Sequence, residues 1–215
     1  MSIDLFVFIA KSGGKIMNKK SQRVIETKER IKNAFFELYA KKKIERISIK
    51  EITDKAEINR GTFYVYYKDI YDLLEKTENE LIEEMLLKLK DIIAIFRHVE
   101  SIEPYLPFEF YQRNSKYLRV LLGENGNPNF VYKMKSVFKE AFGELFKTEK
   151  NIPIQHHEYV MEYILAAQIG VISFWLSKDM ELPVAELGEM IRKIILLGPI
   201  NFLMTQVETV YANSI

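Results

Sequence analysis

Six side chains between positions 50 and 68 have the types and spacing to do chemistry together: Lys50, Arg60, Thr62, Tyr64, Tyr66 and Lys68. All six donate hydrogen bonds and three carry positive charge. A guanidinium fork such as that of Arg60 can grip a guanine edge through two parallel hydrogen bonds. Hydroxyl groups at positions 62, 64 and 66 suit phosphate or base contacts, and Lys50 and Lys68 add point charges for a phosphate backbone. Gly61, without a side chain, lets backbone N–H groups approach a phosphate. This is the chemistry of binding, not of bond breaking. No glycine-rich phosphate loop, nucleophile elbow or acid pair at useful spacing occurs, so no enzyme is expected. The chain has no cysteine, which removes thiolate metal sites and disulfides. Adjacent residues on a helix point about 100° apart, so His156, His157 and Glu158 do not share one metal-binding face. Neither metal nor cofactor is expected.

The elements that must position these donors are helices, since apolar residues repeat at helical spacing and not at period two. A first helix is expected over 21–42, with Ile31, Ala34, Phe35, Leu38 and Tyr39 on one apolar face. Ser48 followed by Glu51 reads as a capping box, and Ile47 with Ile52 as a hydrophobic staple, opening a second helix. A tight turn at 57–59 follows, and Asn59 caps a third helix over 60–67. Two short helices joined by a three-residue turn make a helix-turn-helix, whose second member enters the major groove. Ile52, Ala56, Ile58, Phe63 and Tyr67 are spaced to form its core, leaving Arg60, Thr62, Tyr64, Tyr66 and Lys68 outward. Later helices are expected over 69–99, 107–122, 130–148, 156–178 and 183–210, the last kinked or broken at Gly198 and Pro199.

Charge is divided to match. Residues 18–68 hold 14 basic and 7 acidic side chains, and residues 69–215 hold 15 and 22. A basic head on an acidic body suits a polyanion-binding head. No transmembrane span or signal peptide is expected: the apolar stretch 163–176 is too short to span a bilayer, and residues 5–10 lack a basic lead-in. Residues 1–17 are expected to be a disordered or mis-assigned extension, ahead of a second methionine start at Met17. The domains expected are 18–74, a helix-turn-helix head, and 75–215, a helical effector-binding and dimerisation body.

The run SIKEITDKAEINRGTFYVYYKDIYDLL at 48–74 resembles the TetR (tetracycline-repressor-like) family, and the likeness reaches back to about residue 24. Gly61-Thr-Phe-Tyr64 is its most specific part. The resemblance implies an all-α fold and a cytoplasmic bacterial transcription regulator, more often a repressor, that binds a palindromic double-stranded DNA operator as a homodimer. It implies phosphate contacts from Ser48 and Lys50, recognition-helix contacts from Arg60, Gly61, Thr62, Tyr64 and Tyr66, and a backbone contact from Lys68. Three positions depart from the family pattern: Glu57 replaces the turn glycine, Lys43 the glycine ending the first helix, and Ile70 the lysine capping the fourth. The segments LLGENGNPNF at 121–130 and GVISFWL at 170–176 resemble one branch of that family, in which some members answer to a protein partner instead of a small-molecule effector.

In the body, Phe108, Phe110, Tyr111, Tyr117, Phe130, Tyr132, Phe138 and Phe142 are candidates for a cavity lining or a core, and no ligand residue is assigned. The stretch 163–176 is apolar on all sides, so a second chain is expected to cover one face. Ala166, Gly170 and Ser173 form a small-residue stripe there that permits close helix approach, and the resemblance implies a four-helix dimer bundle. The alternative function is a helical adaptor whose basic head docks an acidic protein surface without specific DNA binding.

Overall fold

The computed structural model describes residues 19–96, 108–146 and 157–198. Among them every regular element is helical, as the sequence pattern predicts. The chain divides between Glu78 and Asn79 into two compact units.

The first unit begins with α1 (Lys19–Tyr39). Its apolar face buries Ile31, Ala34, Phe35, Phe36 and Tyr39. The helix stops before the lysine run that was expected to end it, because Lys41 N–H turns to the Leu38 carbonyl at 3.0 Å, a tightened last turn. A short 3-10 turn, Ile44–Arg46, follows. Next come α2 (Ile49–Lys55), α3 (Arg60–Tyr66) and the start of α4 (Ile70–Phe96). α2 packs on α1 and α3 on α2. Ile47, Ile52, Ala56, Phe63, Tyr67, Leu73 and Leu74 complete this unit's core, and Ile58 is half-buried.

In the second unit the single helix expected over 107–122 is two: α5 (Phe108–Arg113) and α6 (Ser115–Leu121). Asn114 breaks it. Its side-chain amide donates to Glu84 Oε2 and to the Phe110 carbonyl, both at 3.1 Å, while Arg113 pairs with the other Glu84 oxygen at 3.1 Å. α7 (Pro128–Phe146) opens on proline, α8 spans His157–Ser177, and α9 spans Val184–Leu197. α9 stops at Gly198, whose φ of 79° is open to glycine and strained for other residues. The expected continuation to 210, residues 1–17, Val99, Pro104, Pro107 and His156 lie outside the described residues.

α8 packs on α6 and α7, and α5 on α9. Phe110, Tyr111, Tyr117, Phe130 and Phe138 are core. Tyr132 is not: it is 72% exposed, on the outer side of α7. The side chains of Phe108 and Phe142 lie outside the described residues. α8 also corrects the expected length of the apolar stretch. Over Glu158–Ser177 it is long and apolar enough to cross a membrane, by length and composition. Its setting gives another account of that apolarity. Leu165, Ile172, Trp175 and Leu176 are buried against the rest of the unit. Glu162 pairs with Lys135 and Lys139 of α7, and Trp175 Nε1 donates to the Leu182 carbonyl at 2.7 Å.

Candidate nucleic-acid interface

The interface is built from two helix starts. At the first, Ser48 caps α2: its Oγ accepts from Glu51 N–H at 3.3 Å and donates to Glu51 Oε2 at 2.9 Å, and Ser48 N–H donates to the same oxygen at 3.0 Å. Lys42 clamps the other oxygen of Glu51 at 2.6 Å. These bonds to Lys42 and Ser48 hold the Glu51 carboxyl down at about 2. The geometry also spends the hydroxyl proton of Ser48 on Glu51, and a phosphate offers only acceptors. Lys50, two residues on, is exposed.

At the second, Asn59 Oδ1 accepts from Thr62 N–H at 2.7 Å and from Thr62 Oγ at 2.9 Å. The Thr62 hydroxyl is thus left as an acceptor, suited to a base amino group. Between the two helices the turn runs through Glu57 at φ 51°, the left-handed region where the family's glycine would be strain-free.

α3 divides its aromatic run as a short amphipathic helix must. Phe63 is fully buried, and Tyr67, just past the helix end, is buried beside it with ring centroids 5.7 Å apart. Tyr64 is 46% exposed, Tyr66 is half-buried, and Arg60, Gly61 and Lys68 are exposed. Arg60 Nη2 donates to Tyr64 Oη at 3.0 Å, and the guanidinium carbon lies 5.5 Å from that ring's centroid. Lys68 N–H donates to Asp72 Oδ2 at 2.9 Å, and Asp69 Oδ1 accepts from Tyr71 N–H and Asp72 N–H, each at 2.8 Å. The amides that open α4 are therefore occupied by carboxylates of the chain itself. Lys76, which donates to Asp72 at 2.8 Å and to the Tyr66 carbonyl at 3.1 Å, was not singled out in the sequence. Its tie to Tyr66 across ten residues has no local spacing signal.

The three small residues of α8 do not share one fate. Ala166 and Gly170 are exposed, and a Cβ added at Gly170 would meet nothing within 4 Å. Ser173 is half-buried and donates to the Leu122 carbonyl at 3.0 Å, so its hydroxyl serves its own unit. On the exposed side stand Tyr159, Tyr163 (61% exposed) and Phe174 (65%). Among the described residues no group of three or more His, Cys, Asp or Glu side chains could hold a metal ion.

Residues 106–196 match the TetR family model described as a transcriptional regulator C-terminal region. Over those residues the chain is similar to the C-terminal region of TetR-type regulators. A curated relative, the uncharacterised HTH-type transcriptional regulator YxbF of Bacillus subtilis (strain 168), is 25% identical over 162 residues, 69% of this chain. The chain spans 39% of the length of that relative. Among solved structures it is similar to the fatty acid degradation regulator FadR from Bacillus halodurans, with a TM-score of 0.61 and 16% identity over 80% of this chain and 96% of that one. It is similar also to a TetR-family regulator from Syntrophomonas wolfei, with a TM-score of 0.60 and 18% identity over 81% and 96%. The fold is that of the helical TetR regulators.

Proposed function

We propose that this chain is a sequence-specific DNA-binding transcription regulator, acting in the cytoplasm as a homodimer on a palindromic operator. The observation that carries this reading is α3. Phe63 anchors the helix, while Arg60 and Tyr64 are exposed and Tyr66 half-buried, beside the exposed Lys68 and, at the start of α2, Lys50. A docking patch for an acidic protein surface would need the cations alone. A short capped helix presenting a guanidinium and hydroxyls is the form that enters a major groove. In this reading Arg60, Gly61, Thr62, Tyr64 and Tyr66 face the bases and nearby phosphates, and Lys50 and Lys68 neutralise phosphates. Ser48 takes part only by releasing Glu51.

The homodimer is supported by the uncovered apolar side of α8, where Tyr159, Tyr163, Ala166, Gly170 and Phe174 recur at three- and four-residue spacing. Phe174 takes the place given to Ser173 in the stripe expected from sequence. A small-molecule effector or a regulatory protein would act through the C-terminal unit. Selection of bound duplexes from random DNA tests the whole reading. The expected result is one enriched sequence with two-fold symmetry, bound with affinity that falls with salt by a slope of about −0.9 per neutralised phosphate. Enrichment of no sequence, with salt-independent binding, would overturn it.

A further inference from the structure

We propose that Tyr64 is a positioning residue for Arg60, so that sequence preference at the base read by Arg60 depends on the Tyr64 hydroxyl. The inference rests on the reading of α3 as the recognition helix and specifies how that helix discriminates.

The two residues are four apart on α3, one turn, on its exposed side. Tyr64 is held from below: its ring meets the fully buried Phe63 edge-on, with centroids 5.7 Å apart and planes at 88°. Tyr64 in turn holds Arg60 twice. Its oxygen accepts from Arg60 Nη2 at 3.0 Å, and its ring lies 5.5 Å from the guanidinium carbon. An exposed arginine otherwise samples many rotamers and loses that freedom on binding. Here the freedom is lost before DNA arrives, and the fork points in one direction.

The donor count permits both tasks. A guanidinium has five N–H groups, and one is spent on Tyr64, leaving enough for a two-bond grip on a guanine edge. The tyrosine oxygen accepts from Arg60, so its own O–H proton is free to donate to a phosphate. A phosphate contact made by Tyr64 and a base contact made by Arg60 are then joined through the Arg60–Tyr64 hydrogen bond, and each polarises the other. The pair therefore acts as one reading unit and not as two independent contacts.

The test measures binding of the full chain to its selected duplex and to every single-base substitution in one half-site, by fluorescence anisotropy. The variants are Arg60→Ala, Tyr64→Phe and the double variant. Tyr64→Phe keeps the ring and removes only the oxygen, and circular dichroism checks that its helix content is unchanged. The expected result is that Arg60→Ala abolishes preference at one base pair and Tyr64→Phe lowers preference at that same pair by about three- to tenfold. Other positions keep their preference, and the double variant discriminates as Arg60→Ala does. If Tyr64→Phe weakens all duplexes by one factor, or changes nothing, or adds fully to Arg60→Ala, the coupling is wrong while the function stands. If the parent selects no duplex, or Arg60→Ala leaves every preference intact, the reading of α3 falls and takes the coupling with it.

Discussion

Arg30 reaches across from α1 to hold Glu57, the left-handed residue of the helix-turn-helix turn: its Nη2 donates to the Glu57 carbonyl at 3.1 Å. The bond is to the backbone, so it does not depend on the side chain at 57. The side-chain contact, 3.4 Å to Oε2, joins two largely exposed groups and adds little. What the glutamate contributes at this position is mainly strain.

Glu57→Gly should therefore stabilise the first unit. Relief of the left-handed conformation is worth about 1–2 kcal/mol, and the greater freedom of unfolded glycine costs about 0.5–1 kcal/mol. A net gain of about 0.5–1 kcal/mol should appear as a higher midpoint in denaturant, with operator affinity unchanged. A lower midpoint would mean that the Glu57 carboxylate matters more than its exposure implies.

The acid response of the same unit should run through Glu51. Lys42 and the Ser48 capping box depress its carboxyl from the ordinary 4.5 to about 2. A carboxyl depressed in the folded state stabilises above its unfolded pKa, and that stability is lost as pH falls through the folded value. The stability difference between the parent and Glu51→Gln should thus be full at pH 7, shrink below about pH 4.5, and be nearly gone at pH 2. Thermal melts of both proteins across that range provide the comparison. A difference that is constant with pH would show that the charge on Glu51 does not carry the effect.

Local chemistry explains which parts could be read from sequence. The capping box at Ser48 and Glu51, the Asn59 cap and the split of Phe63 and Tyr67 from Tyr64 all lie within four residues of their partners, where spacing carries information. The break at Asn114 could not be read that way. Its side-chain partner is Glu84, thirty residues earlier on α4, and an asparagine within the polar run 112–116 gives no sign of a distant carboxylate. Ser173 has the same difficulty, since its partner is a main-chain carbonyl fifty-one residues away. Periodicity also could not say which side of the uniformly apolar α8 would be left uncovered.

The Asn114 cluster yields a stability test. Asn114 is 1% exposed, and among the described residues its Oδ1 has no hydrogen-bond partner. Its amide orientation is fixed by the two acceptors it serves. Asn114→Leu should cost about 1–3 kcal/mol by taking a buried donor from Glu84 Oε2. Glu84→Leu combined with Asn114→Leu should recover part of that loss, because the buried pair is then gone and only the partly exposed Arg113 loses an acceptor. Equal stability of the single and double variants in urea would show that Glu84 does not depend on the Asn114 amide.

The last test concerns the proposed sharing of one operator by two chains. A single short recognition helix reaches only a few base pairs, so one head binds weakly, and joining two makes the second contact intramolecular. Gly170 lies on the exposed side of α8 with open space where a Cβ would be, so the Cβ of Gly170→Phe meets nothing within 4 Å. Helix propensity also favours Phe over Gly, by a few tenths of a kcal/mol. A monomer should fold at least as well as before. Against a second α8 packed closely on the small residues, the phenyl ring overfills the contact, at about 1–3 kcal/mol for each copy. The expected outcome in sedimentation is a shift from dimer to monomer, with helix content retained and operator affinity lost. A variant that stays dimeric and binds normally would take Gly170 out of the interface. A folded monomer that still binds with full affinity would show that the heads do not need each other.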